Sequence, residues 1–430
     1  MIPAVLLAAM MGVLFPPGAA ALEFYDVRPP DSQIAANFEN SSIAWRPQGD
    51  YAILVSTRTY VPNSSVGIHR YDTATGGLTY QGYTVGQHYF SRAEFSADGT
   101  YAVITGDTHI YRYDHSPSGF GTVTEITDIE NPGGCTITYF DVLRHPVQPS
   151  EPMYILANLH CGSEHRVKVL RYDPLSSPQI TVDESGGISP GDPSAFEPWT
   201  GAWQADGDYM VWGNRTANGW QGGIFIWDPD HSTFPPGSTT NEMVFFGSSG
   251  LTNISTVCMS PVSGSRFVLV KGTGRVVRFT EYPTVMIADY PWPDYYTSIG
   301  TGDSGYNAAG DTCVFVERQG FYPHRVMLFD GSGDGITIEE TVSGAGFTNY
   351  ASQILAMEWH PSLNMGLMAG EDRWIFRFDD GAVPTPATPT PTPTVTPTPG
   401  LPVPATGTGG TILLITVIGG ILLIHSIRKN

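Results

Sequence analysis

An all-β fold built from short, turn-punctuated strands is what this chain predicts, and three observations carry the expectation. Aromatic residues make up 12% of its 430 residues and charged residues only 14%, a profile suited to many short strands with packed aromatic faces. The 49 glycines and 35 prolines are too many for long helices and fall between apolar runs as punctuation. One strand pattern also recurs along the chain at a near-regular period.

The recurring unit is a strand, a polar turn with Gly, a second apolar strand, and a third strand ending on an aromatic residue and Asp. In its first copy Ile43-Ala44-Trp45-Arg46-Pro47 leads through Gly49-Asp50 into Tyr51 to Val55, and Ile68-His69-Arg70-Tyr71-Asp72 follows. The second copy gives Glu94-Phe95, Asp98-Gly99, Tyr101 to Thr105 and Tyr111-Arg112-Tyr113-Asp114. Later third strands end at Tyr172-Asp173, Trp227-Asp228, Phe279-Thr280, Phe329-Asp330 and Phe378-Asp379, so that successive endings lie 42 to 59 residues apart. That is the spacing of four-stranded blades, and seven copies predict a seven-bladed β-propeller over residues 22–381. Fourth strands follow in six copies, whereas the seventh runs at Gly381 into Pro/Thr-rich sequence and would be left with an open edge. Leu22 to Val27 has the length and alternation to fill that place, so the ring is expected to close on its N-terminal strand.

Both ends predict targeting. Ile2 to Phe15 is apolar and is followed by Ala19, Ala20 and Ala21, the pattern of a signal peptide over residues 1–21. Residues 382–410 form a Pro/Thr-rich stalk, whose alternating Val383 to Pro399 portion would extend about 50 Å as polyproline II. Residues 411–427 are almost wholly apolar, as a transmembrane or sorting helix would be, and a basic tail at 428–430 closes the chain. Secretion and anchoring at the cell surface are the expected address.

Two resemblances rest on these residues. Trp45-Arg46-Pro47-Gln48-Gly49-Asp50-Tyr51 and Tyr71-Asp72-Thr73-Ala74-Thr75-Gly76 resemble WD-repeat, TolB-like and YVTN propeller repeats over about residues 22–381. That resemblance implies a rigid platform for binding, in a fold that also hosts some enzymes. Val403-Pro404-Ala405-Thr406-Gly407, with the apolar segment and basic tail behind it, resembles the LPXTG-type sorting signals of bacterial surface proteins, with Val403 in the place of that family's Leu.

The formal charge of −20 excludes nucleic acid as an expected partner, because phosphate neutralisation needs clustered Lys and Arg. A soluble, monomeric extracellular domain fits that acidity. Candidate binding residues cluster in the loops that enter each copy, the upper rim of a propeller: Phe38, Glu39, Tyr89, Phe90, Glu197, Trp199, Trp292, Asp294, Tyr296, Asn349 and Tyr350. Aromatic faces beside carboxylates and amides suit sugar rings or a protein hot spot. The same aromatics would also serve as wedges between blades.

Catalytic signals are thin. Gly302-Asp303-Ser304-Gly305 copies a protease nucleophile string but lacks a His-containing partner motif, and Gly187-Ile188-Ser189-Pro190-Gly191 lacks the helix that a nucleophile elbow needs. Asp330, Ser332 and Asp334 alternate as calcium ligands do, yet the twelfth position is Thr341, so a hairpin turn and a calcium site both stand. No other cofactor is expected. Of four cysteines, Cys135 and Cys161 fall at the same end of neighbouring strands and are expected to bridge. For Cys258 and Cys313 a bridge and two buried thiols stand open.

The leading expectation is therefore a non-enzymatic surface propeller that binds an extracellular protein or glycan. The alternatives are a hydrolase or lyase whose carboxylates, such as Glu197 and Asp294, work in the central channel, and an envelope structural protein without a ligand.

Overall fold

The computed structural model describes residues 22–27 and most of residues 39–380. Residues 1–21 and 381–430 and several connecting loops lie outside the described residues. The chain divides into two compact units, Met1–Val383 and Pro384–Asn430, and the described residues all belong to the first.

The described strands form seven four-stranded sheets, each antiparallel throughout. In chain order, sheets 1 to 6 cover residues 39–83, 92–125, 136–188, 197–245, 256–291 and 304–339. Sheet 7 joins three strands of residues 354–380 to the N-terminal strand Leu22–Asp26. The first strands of sheets 1 to 7 neighbour one another in order, and the first strand of sheet 7 neighbours that of sheet 1. Leu22–Asp26 pairs with Ile375–Asp380 from Leu22 opposite Asp380 to Asp26 opposite Phe376, so the outer place in sheet 7 is filled by the strand nearest the N-terminus. Leu22 is buried there with Met357, Trp359 and Phe378, and the Phe24 ring packs against Phe378.

The Gly-containing turn explains why the repeat was visible. In four sheets a polar residue starts the turn and Gly ends it: Arg46 to Gly49, Ser96 to Gly99, Gln204 to Gly207 and Asn307 to Gly310. Each Gly donates its N–H to the carbonyl of the turn's first residue at 2.8–2.9 Å. Each also has a φ of 67 to 79°, which other L-residues adopt only at a cost. The second hairpin of sheet 1 turns on Asp72, whose carboxylate accepts from the Thr75 N–H and hydroxyl and so holds the turn.

The core lies between sheets rather than within one. Tyr51, Ile53 and Val55 of sheet 1 meet Phe95, Ile104 and Tyr111 of sheet 2, and equivalent clusters join sheet 2 to 3, 3 to 4 and 7 to 1. The second strands are covered on both faces, which is why Tyr51 to Val55 and Tyr101 to Thr105 read as unbroken runs of buried residues. The outer strand Leu78–Tyr83 faces solvent and is largely polar.

The Arg that precedes the aromatic-Asp ending packs on a ring of its own sheet, and Arg70 also donates to the Ser116 and Gly119 carbonyls of sheet 2. Arg70 stacks 3.8 Å above the Tyr51 ring, and Arg112 lies 4.7 Å above Tyr101. Arg112 and Arg377 are fixed by the Asp two residues on, at 2.6 Å to Asp114 and 2.7 Å to Asp379. The turns are latched in the same direction round the ring. The His360 Nε2 donates to the Gly49 carbonyl at 2.8 Å while its Nδ1 accepts from the Leu363 N–H, and His145 donates likewise to Gly207 at 3.0 Å.

Candidate functional site

The first strands line a central cavity of about 130 Å³. Their sequence registers place Ser42, Arg92, Asp141, Thr200 and Asp303 round it, and one pleat further along Glu94 and Glu358. Ser42, Glu94, Asp141, Asp303 and Glu358 are turned toward the following sheet. Carboxylates outnumber guanidiniums four to two among the described channel residues, counting Arg144, which reaches Glu94 at 3.3 Å. Arg92 of sheet 2 faces Asp303 of sheet 6 at 3.7 Å.

Three of the carboxylates are held by backbone N–H groups of the next sheet. Asp141 accepts from Gly201 at 3.0 Å, Asp303 from Met357 at 3.2 Å, and Glu358 from Trp45 at 3.1 Å. Asp141 and Asp303 also accept from the N–H of the residue after them, Val142 and Ser304, at 2.9 Å each. Ser42 plays the neutral version, accepting from the Ala93 N–H at 3.1 Å. The indole N–H of Trp45 returns to the Glu358 carbonyl, and that of Trp359 to the Gly305 carbonyl. The channel groups are thus staples between consecutive first strands.

Burial dominates their electrostatics. It raises Asp141 to about 6, against the pull of Arg92 and the Gly201 N–H, and raises Asp303 against Arg92. Glu94 is raised by burial against Arg144, and Glu358 by burial and by the neighbouring Glu94. Burial thus shifts all four acids upward, the direction in which a general acid is tuned. Ser304 shares a hydrogen bond with the Thr256 hydroxyl, and among the described residues no base reaches it. Among the described residues no group of three His, Cys, Asp or Glu is arranged to hold a metal.

The sequence-predicted site residues fall differently. Phe90 is fully buried and packs against Tyr111 at 5.3 Å between ring centroids, so it is a wedge between sheets 1 and 2 and not part of a binding surface. Its place just ahead of a first strand carries it into the inter-sheet core. Glu39 and Glu197 open the first strands of sheets 1 and 4 opposite Arg58 and Arg215. Trp199 sits at a break in register between Pro198 and Thr200. Asp330 ends a strand opposite Thr312. Phe38, Tyr89, Trp292, Asp294, Tyr296, Asn349, Tyr350, Ser332, Asp334 and Val403 to Gly407 lie outside the described residues.

Cys135 and Cys161 form a disulfide, joining the start of sheet 3's first strand to the end of its second. Sequence reasoning passed over Glu94, Asp141 and Glu358 as channel residues. Their signal was an acid inside an apolar first strand, as in Ala93-Glu94-Phe95 and Met357-Glu358-Trp359.

No protein-family model and no curated protein matches the chain. Among solved structures it is similar to the β-propeller domain of Myceliophteria thermophila Cps50 (Swd1), at 11% sequence identity. That likeness has a TM-score of 0.54 and covers 83% of this chain and 99% of the other. At such identity it shows the fold alone. With its antiparallel four-stranded sheets and this likeness, the chain folds as a β-propeller.

Proposed function

We propose that the chain is a seven-bladed propeller, exported by its apolar N-terminal segment and held at the cell surface by its Pro/Thr stalk and apolar C-terminal segment. There it acts as a monomeric, non-enzymatic platform for an extracellular protein or glycan. The observation that carries this reading is the use made of the channel. Its carboxylates are taken up in holding neighbouring strands, and its cavity of about 130 Å³ is well below the 300–1,000 Å³ of ordinary small-molecule sites. We assign recognition to Glu197 and Trp199, at the opening of the first strand of sheet 4, and to Trp292, Asp294 and Tyr296, in the sequence between sheets 5 and 6.

The unit ending at Val383, with residues 1–21 removed, is to be screened on a glycan array and against extracellular proteins. Replacing Trp199, Trp292 and Tyr296 together by Ala is expected to abolish binding while the unfolding midpoint stays in place. Full binding by the triple variant would remove the rim from the proposal.

The upward-shifted acids favour one second reading, a channel hydrolase or lyase. Glycosidase or lyase turnover lost in Glu94→Gln, with the fold retained, would establish it over the platform.

A further inference from the structure

Cys258 lies on the first strand of sheet 5, Thr256–Met259, and Cys313 on the second strand of sheet 6, Thr312–Val316. Their side chains meet across the interface between the two sheets, with the sulfurs 2.9 Å apart and both residues buried. A disulfide bond is about 2.05 Å long, so the sulfurs need to approach by only about 0.9 Å. The chain also carries one disulfide, Cys135–Cys161, of the sort kept in oxidising compartments.

We propose that Cys258 and Cys313 are a second site of covalent modification, a disulfide that ties sheet 5 to sheet 6 in the matured protein. The inference rests on the exported reading above. The oxidant is a disulfide, either a small molecule or the active-site pair of a dithiol–disulfide oxidoreductase. One cysteine thiolate attacks it to give a mixed disulfide and releases a first thiol. The second thiolate then attacks the mixed disulfide, forming the Cys258–Cys313 bond and releasing a second thiol. Two S–H bonds and one S–S bond are lost, and one S–S bond and two S–H bonds are gained. The two electrons end on the oxidant.

Timing follows from burial. In the closed ring both sulfurs are buried away from an oxidant, and burial and the neighbouring sulfur push the Cys313 thiol well up. The bond therefore forms while sheets 5 and 6 are still coming together. Once they have closed, the same burial shields it from reductants. The bridge spans two sheets, unlike Cys135–Cys161, which lies inside sheet 3.

The test is a peptide map of the full chain, purified from an oxidising compartment, unfolded without reductant and alkylated with iodoacetamide. The expected result is a cross-linked peptide pair containing Cys258 and Cys313, and no alkylation at either. Alkylation of both, with Cys135–Cys161 found bridged, overturns this proposal and leaves the exported reading standing. Alkylation of all four overturns both. Cross-links of Cys258 or Cys313 to Cys135 or Cys161 also overturn it. A Cys135→Ser, Cys161→Ser variant gives a second readout: its unfolding midpoint should still fall on reduction in denaturant, and an unchanged midpoint counts against the bridge.

Discussion

Acid should weaken this propeller through one side chain, His69. The residue sits on the third strand of sheet 1, is fully buried, and lies 5.1 Å from the Tyr80 ring. Burial lowers its pKa from 6.5 to about 4. In the unfolded chain the imidazole takes its proton near pH 6.5, whereas the folded protein resists it until about pH 4. The stability tied to neutral His69 is thus fully present above pH 6.5 and is lost as the pH falls toward 4. A shift of that size amounts to about 3 kcal/mol by pH 4.

The buried channel acids act with the opposite sign in the same window. Asp141, raised to about 6, is ionised in the unfolded chain before it is ionised in the folded one, so its contribution improves as the pH falls from 6 toward 4. Wild type alone therefore gives a mixed curve, and comparison with His69→Gln isolates the imidazole. Urea unfolding of both proteins at half-unit steps from pH 7.5 to 4 is the assay. The gap between them should narrow by about 3 kcal/mol in favour of the variant at low pH. Parallel curves would refute the reasoning.

Other outcomes follow from the turns, the staples and the closing strand. Gly49→Ala places a methyl 2.4 Å from the His360 imidazole at a φ of 70°, whereas at Gly76, with a φ of 65°, the nearest atom is 3.9 Å away. Gly76→Ala should cost about 1 kcal/mol in unfolding free energy and Gly49→Ala distinctly more, by denaturant titration. Asp303→Ala strips the acceptor from the Met357 and Ser304 N–H groups and should cost about 2–5 kcal/mol, with Asp303→Asn milder because its amide oxygen still accepts. Deleting residues 22–26 uncovers one edge of Ile375–Asp380 and should lower and broaden the thermal transition seen by circular dichroism.

Much of the fold was legible because its signals are local. A Gly that must hold a left-handed conformation three residues after the residue that opens the turn marks it at Gly49, Gly99, Gly207 and Gly310 whatever the rest of the chain does. The fate of Leu22 to Asp26 could be read because a fourth strand was missing after Asp380. The channel was less legible. Asp141 and Glu358 show only as acids within apolar strands, and the neighbouring sheet's N–H groups, 60 and 313 residues away, give them their role. Phe90 shows the same gap from the other side. An aromatic in a connecting loop suits a ligand or a core equally well until its neighbour, Tyr111, is known.

The pairing of Leu22 with Asp380 has a mechanical side. The two ends of the propeller's chain lie next to each other, and the strand that leads out at Asp380 runs between two partners, Leu22–Asp26 and Met365–Gly370. Tension applied to whatever follows residue 380 enters a strand gripped from both sides, so it is shared between two ladders of hydrogen bonds. Had the chain ended its ring on its own last strand, the same pull would have met a single ladder at an open edge. Closing with the N-terminal strand thus makes the exit point one of the harder places from which to peel the domain apart.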